Sequence, residues 1–230
     1  MKKQSLNKNN YDASVFDRPS LTVDIVLFSI ENNDLKTLLI KRNIWPYKNH
    51  WALPGGFVKP KETLEQTAAR ELKEETGLSL SFSEQLYTFS KIDRDPRTRV
   101  ITVAYFALMP NTNSKLNPTT DASAAAWHSI KKLPDLAFDH QEIIQYALQR
   151  LRSKLYYSNI VKGLLAKDFT MSQLQATYEI VLGKKLDKRN FRKKMHSLNL
   201  FVKTGKKQLD GSHRPAELYH FKNRKLVYFA

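Results

Sequence analysis

Three glutamates, Glu71, Glu74 and Glu75, stand at i, i+3 and i+4 in the run AARELKEETGL. Residues 63–76 hold no Gly or Pro and are rich in Ala, Leu, Glu and Lys, so they are predicted to be helical, with Gly77 as the stop. On a helix this spacing puts the three carboxylates on one side. Like charges that close repel, and a cation offsets them. Hard carboxylate oxygens select Mg²⁺ or Mn²⁺. Such an ion neutralises charge on a pyrophosphate and activates an attacking water. Arg70 lies i, i+4 from Glu74 and is placed to orient it. Glu62, just before the helix, is expected to accept hydrogen bonds at its start. Leu64, Ala68 and Leu72 form a separate apolar stripe that docks the helix.

The longer stretch from Gly56 reads Gly, five residues, Glu62, seven residues, Arg70-Glu71-Leu72, one residue, Glu74-Glu75, one residue, Gly77-Leu78. At every typed position it resembles the Nudix box, the signature of hydrolases that cleave nucleoside diphosphates linked to another group. The resemblance implies that Glu71, Glu74 and Glu75 hold a metal ion, Mg²⁺ or Mn²⁺, with Arg70 and Glu62 completing the catalytic set. It also implies that a backbone carbonyl near Gly55 joins the metal shell. Gly55-Gly56 lets the backbone approach a ligand closely. Lys41 and Arg42 end a strand beside the box, where Nudix proteins carry basic residues, and with Arg97 they are the candidate phosphate contacts.

The elements that must position these groups come in order. Residues 21–30 (LTVDIVLFSI) read as a central strand and residues 35–42 (LKTLLIKR) as a second, joined by the turn Asn32-Asn33-Asp34. Residues 80–92, 99–108 and 124–130 read as further strands, and Trp51 reads as core. Asp139-His140 opens a helix with Ile143, Ile144, Ala147, Leu148, Leu151 and Leu155 at helical spacing. The loop Asp93-Arg94-Asp95-Pro96-Arg97 followed by VITVAY resembles the ADP-ribose-type branch of Nudix proteins; a plain solvated turn is the alternative. His128 reads as structural. The fold class expected is α/β, a Nudix α/β/α sandwich over residues 20–155, preceded by a disordered tail over 1–19.

The remaining third differs in charge. Residues 151–230 carry 18 Lys and Arg against 5 Asp and Glu, a net of +13, while residues 1–150 carry 20 against 17, a net of +3. That split argues for a second domain, over 156–230, with a polyanionic partner. Residues 159–166 read as a short helix. Thr170-Met171-Ser172 caps a helix over 173–182, stopped by Gly183, and Asp187 caps a third over 188–198. Phe191, Met195 and Leu198 face inward, which leaves Lys188, Arg189, Asn190, Arg192 and Lys193 outward. Residues 200–204 and 217–221 flank a basic hairpin that runs through Arg214. Three helices and a basic ribbon describe a winged helix-turn-helix, whose third helix enters the major groove of DNA. Arg189 and Asn190 suit guanine and adenine edges, and the lysines suit phosphates.

The chain has no Cys, so it carries no disulfide scaffold and fits a reducing cytoplasm. It has no apolar run near the roughly 18 residues of a membrane span, and its first residues lack the apolar core of a signal peptide. No membrane partner is expected.

A Nudix domain followed by a winged helix resembles the Nudix-related transcriptional regulator family over about residues 20–222, and FTMSQLQATYEIVLGKKLDKRNFRKKM resembles that family's DNA-binding domain along its length. The resemblance implies a cytoplasmic homodimer that binds double-stranded operator DNA and responds to ADP-ribose or a related nucleotide. Many members have lost box residues and hydrolysis with them; this chain keeps Glu71, Glu74 and Glu75. Three readings stay open: a regulator that also hydrolyses ADP-ribose to AMP and ribose 5-phosphate, a regulator that senses without turnover, and a Nudix hydrolase acting on RNA or another nucleoside diphosphate.

Overall fold

The computed structural model describes residues 15–79, 83–111, 116–117, 122–209, 215–223 and 225–229. The tail expected over 1–19 falls mostly outside that range, and so does Arg214.

Strand β1 (Ser20–Glu31) is central, as its apolar sequence predicts. It pairs antiparallel with β2 (Asp34–Arg42) through a two-residue turn, where Asn32 and Asn33 take positive φ of 52° and 58°. Asn tolerates that conformation, which suits the twist of a tight hairpin. On its other side β1 pairs parallel with β6 (Val100–Leu108), and β6 pairs with β5 (Ser83–Phe89). Strand β5 is shorter than the 80–92 expected from sequence; residues 80–82 are outside the described range.

The sheet splits along β1. Its end meets β2 over Phe28–Glu31, while its start meets β4 (Gly55–Phe57) over Thr22–Asp24. Strand β2 meanwhile pairs with β3 (Trp51–Ala52) and β7 (Ala122–Ser129). A concave gap opens between the end of β2 and β4.

Helices cover both faces. Helix α1 (Leu64–Thr76) buries Ala68 and Leu72 against Val23, Ile25 and Leu27 of β1. Helix α2 (His140–Tyr157) buries Ile143, Ile144 and Ala147 on the opposite face, with Val26 and Phe28. The strand alternation that sends odd and even residues of β1 to different helices makes the α/β/α sandwich.

After α2 the expected short helix over 159–166 is instead one 3-10 segment, Ile160–Leu164. Gly163 lies on the sheet there; a Cβ would sit 2.7 Å from that of Leu108, so the turn is pressed flat against β6. Strand β8 (Phe169–Thr170), α3 (Met171–Leu182), α4 (Lys188–Ser197), β9 (Phe201–Gln208) and β10 (Ala216–Phe221) follow, with the sheet in the order β8-β10-β9. Local chemistry sets the helix ends, with α3 starting at Met171, two residues ahead of the expected 173. Thr170 and Gln173 form a capping box, Gly183 ends α3 at φ 70°, and Asp187 accepts the amide of Asn190 at 2.8 Å.

The two units share one hydrophobic core. Ile143, Leu151 and Leu155 of α2 belong to the same buried cluster as Leu174, Tyr178, Phe191 and Met195 of the winged helix. Arg152 on α2 donates to the carbonyl of Val181 near the end of α3 at 2.9 Å. The end of the chain returns to α2, where buried Lys154 bonds Glu84 of β5 at 2.6 Å and the Tyr228 hydroxyl at 3.2 Å. Among the described residues no helix is long and apolar enough to cross a membrane.

Candidate active site and DNA-binding surface

The gap at the sheet split is a cleft of ≈ 480 Å³. One wall is α1, which presents Arg70, Glu71, Glu74 and Glu75 together, as their spacing predicts. Gly56 makes room for Glu71: a Cβ there would meet its Oε1 at 2.4 Å. The close approach is therefore to Glu71 itself. Gly55 is equally tight, because a Cβ would meet the Val23 carbonyl at 2.2 Å, and its N–H donates to Glu75 Oε2 at 2.8 Å.

Arg70 ties the acidic wall together. Its Nε and Nη2 grip both oxygens of Glu62 at 2.7 and 2.9 Å, while Nη1 reaches Glu71 at 2.6 Å and Glu74 at 3.2 Å. Glu62 thus serves to anchor Arg70 and to accept from the Thr67 hydroxyl; Thr63 caps the helix instead. The bidentate Arg70 contact holds the Glu62 carboxyl down at about 2. Burial pushes Glu75 the other way, up to about 8, with the Gly55 amide pulling against it and Glu71 and Asp24 adding to the rise. Burial also raises Glu71, opposed by Arg70.

The donor set fits a divalent cation: three carboxylates with hard oxygens face one cleft, two of them raised in pKa by burial, a cost that a bound cation would offset. Glu71, Glu74, Glu75 and the Gly55 backbone would hold it. Among the described residues no three acidic or histidine side chains already close on one point, and Arg70 spans Glu71 and Glu74.

The opposite wall was not legible as a site in the sequence. Asp24, the one acidic residue inside the apolar run of β1, is buried. Arg94 sits beside it with only 3% of its side chain exposed, 3.5 Å from Asp24 and clamped by both oxygens of Asp139 at 2.6 and 2.9 Å. The 93–97 loop is thus no solvated turn, since Arg94 and Asp95 are both buried. His140 completes the network. Its Nδ1 accepts the Leu53 N–H at 2.9 Å, which puts the proton of the neutral ring on Nε2, 3.5 Å from Asp24. The signals available were a lone Asp in an apolar strand and a Pro-containing charged loop.

Burial lowers the His140 pKa below 6.5, with Arg94 and Arg42 adding to the fall and Asp24 opposing it. The unfolded chain therefore takes up this proton first, and stability is lost as pH falls below 6.5. His140→Gln keeps an acceptor for Leu53 and cannot titrate. Its urea midpoint is expected to fall less than that of the parent when both are acidified from neutral pH to below 6.5.

The candidate phosphate contacts divide. Arg42 lines the cleft with Ile40; Lys41, on the alternate face of β2, does not. Strand alternation rules that Lys41 and Arg42 cannot serve one cleft together. Arg97 is in the cleft, with Nε and Nη2 bound to Asp95 at 3.0 and 2.7 Å. Trp51 and His128 pack edge to face outside it, consistent with structural roles.

On the far unit, α4 exposes Lys188, Arg189, Asn190 and Lys193, while Phe191 and Met195 are buried. Arg192 departs from the expected outward face: it is half-buried, and its guanidinium donates to Ser172 of α3 at 3.3 Å. Lys203, Lys206 and Lys207 of β9 are exposed, so the basic hairpin expected from the sequence turns its charge outward.

Comparison with known proteins bears on both units. The NUDIX domain model matches residues 20–147, and the model for the NrtR DNA-binding winged helix domain matches residues 161–221. The chain is 37% identical to the ADPR responsive transcriptional repressor NtrR of Acinetobacter baylyi, over 92% of this chain and 85% of that one. The chain belongs to the NrtR family of Nudix-related regulators. Shewanella oneidensis NrtR, solved in complex with a 27mer DNA, is 36% identical with a TM-score of 0.78, over 88% of this chain and 93% of that chain. The NUDIX domain of the same protein has been solved with ADP ribose, at 38% identity and TM-score 0.58, over 63% of this chain and 96% of that chain. An ADP-ribose pyrophosphatase of Methanocaldococcus jannaschii is 39% identical over 63% of this chain and 80% of that protein. NrtR-family architecture thus accounts for the α/β/α sandwich, the winged helix and their order.

Proposed function

We propose that this NrtR-family protein is an ADP-ribose-responsive DNA-binding repressor whose Nudix cleft also hydrolyses its ligand. Residues 20–155 take ADP-ribose, and residues 156–230 hold duplex operator DNA, in a cytoplasmic homodimer. The observation that carries the reading is the pairing of an intact acidic cleft with a winged helix on one continuous core. The winged-helix match favours duplex DNA over RNA as the polyanion.

Water adds across the pyrophosphate, one P–O bridge breaks, and AMP and ribose 5-phosphate leave. Glu71, Glu74 and Glu75 would hold Mg²⁺ or Mn²⁺, which would supply charge neutralisation on the phosphates and a more acidic water. Arg70, pinned by Glu62, holds Glu71 and Glu74 in place. Gly55 orients Glu75 through its amide. Arg42 offers positive charge from the facing strand. Base-edge contacts fall to Arg189 and Asn190, and phosphate contacts to Lys188, Lys193 and Arg214, the last of which lies outside the described residues.

A sensor without turnover is the second reading, favoured by Arg70 bridging the two carboxylates that a metal would share. Incubation with ADP-ribose and Mg²⁺ separates them. Release of AMP above that of a Glu74→Gln control supports hydrolysis; binding of ADP-ribose with no AMP leaves the sensor.

A further inference from the structure

A second cavity, of ≈ 960 Å³, lies where the two units meet. Its walls come from the end of β6, the 3-10 segment after α2, the base of β10 and the chain beyond it. Small-molecule sites span about 300–1,000 Å³. The lining is of two kinds. Leu108, Ile160, Leu165, Phe221 and Leu226 give it an apolar body. Lys162, Lys167, Lys222 and Lys225 give it positive charge, and among the described residues no carboxylate lines it. Lys222 bonds the Asn199 side chain, a neutral partner that leaves its charge unanswered. Burial pushes Lys162 below its ordinary pKa, so its charge is short of solvation and gains from a nearby anion.

The walls are tied together before any ligand arrives. Buried Asn159, at the start of the 3-10 segment, accepts the Val227 N–H at 2.8 Å and donates to the Lys225 carbonyl at 3.2 Å. The Lys222 N–H donates to the Leu200 carbonyl at 2.9 Å, which pins the chain leaving β10. The cavity sits at the Phe201–Phe221 end of the ribbon, and the hairpin turn is at the other end, past Gln208. It is therefore separate from the wing tip as well as from the acidic cleft. An inorganic anion would leave the apolar walls wet, and a neutral hydrocarbon would leave the lysines without a counter-charge. A molecule with an apolar body and an anionic head satisfies both.

We propose that this cavity is a second ligand site that takes a small amphipathic anion, its hydrocarbon part against Leu165, Phe221 and Leu226 and its carboxylate or phosphate head among the lysines. The site stands independently of the ADP-ribose reading. Its occupant touches both units, so binding stabilises them together.

Calorimetry on the full-length protein tests it with three probes of one chain length: octanoate, octyl phosphate and uncharged 1-octanol. The parent is expected to bind at least one anion, and to bind 1-octanol about tenfold or more weakly than that anion. The tighter of the two anions names the head group. Ala166 lines the cavity from an exposed position, so Ala166→Trp fills the space without disturbing the core and is expected to abolish anion binding. Lys167 and Lys225 are exposed, and the double variant Lys167→Glu/Lys225→Glu is expected to weaken the anions about tenfold or more while 1-octanol is unchanged. Melting temperatures near that of the parent, without ligand, show that both variants are folded. A parent that binds no probe overturns the proposal. So does 1-octanol bound as tightly as the anions, or Ala166→Trp binding them as the parent does. Light scattering covers the other occupant: a smaller assembly for Ala166→Trp than for the parent means that a second copy of the chain seats there, and the ligand site falls.

Discussion

Glu74→Gln is expected to slow ADP-ribose hydrolysis by at least about a hundredfold while the protein stays folded. The carboxylate is one of three facing the cleft, and offsetting charge at a pyrophosphate is worth several kcal/mol in the transition state, at roughly 1.4 kcal/mol per factor of ten. Its structural cost is small by comparison. The side chain is 42% exposed and pairs with Arg70 at 3.2 Å, and exposed pairs contribute about 0–1 kcal/mol. Initial rates of AMP release, set beside urea melts of both proteins, check the two halves of this expectation. A variant that is as stable as the parent and equally fast would show that the carboxylate takes no part.

Arg94→Ala is expected to do the opposite, costing stability first. Arg94 is the only cation that the described structure puts in bidentate contact with Asp139, and it also faces Asp24. Its removal strands the buried Asp24 and the largely buried Asp139, and breaking a buried pair costs about 3–5 kcal/mol. For a chain of this size that corresponds to roughly 6–20 °C in melting temperature. Thermal unfolding of the variant measures it; a shift of under about 2 °C would mean that the network is solvated and weak. Asp139 also precedes α2, so the same variant loosens the start of the helix that leads to the winged domain.

The contrast between these two residues explains what the sequence made legible. Glu71, Glu74 and Glu75 lie on one helix turn and a half, and helical geometry alone brings them together. Thr170, Gly183 and Asp187 act within a few residues of themselves, so the ends of α3 and α4 follow from composition. Arg94, by contrast, meets Asp24 across 70 positions and Asp139 across 45, and no local period encodes such a meeting. Lys41 and Arg42 show a finer failure: both look basic beside the box, and only the pairing of β2 decides which one faces the cleft. Residues 159–166 have helical propensity, yet Gly163 presses against Leu108 and the segment closes as a single tight turn. Arg192 looked outward by helical wheel and instead reaches back to Ser172 on the neighbouring helix.

Helix α2 gives the coupling a physical route. Its first residue, His140, lines the ligand cleft, and Arg152 near its other end holds the Val181 carbonyl of α3. A ligand that favours one setting of α2 over another must alter the winged helix packed on it. Coupling of this kind is reciprocal.

The most direct measurement is a pair of titrations on the full-length Glu74→Gln protein, with duplex DNA selected from a random pool. DNA affinity is measured by fluorescence anisotropy with and without saturating ADP-ribose, and ADP-ribose affinity by calorimetry with and without saturating DNA. The expected result is a shift in DNA affinity of about fivefold or more, mirrored by the same factor in ADP-ribose affinity. ADP-ribose that binds the protein while both affinities stay unchanged would contradict the account.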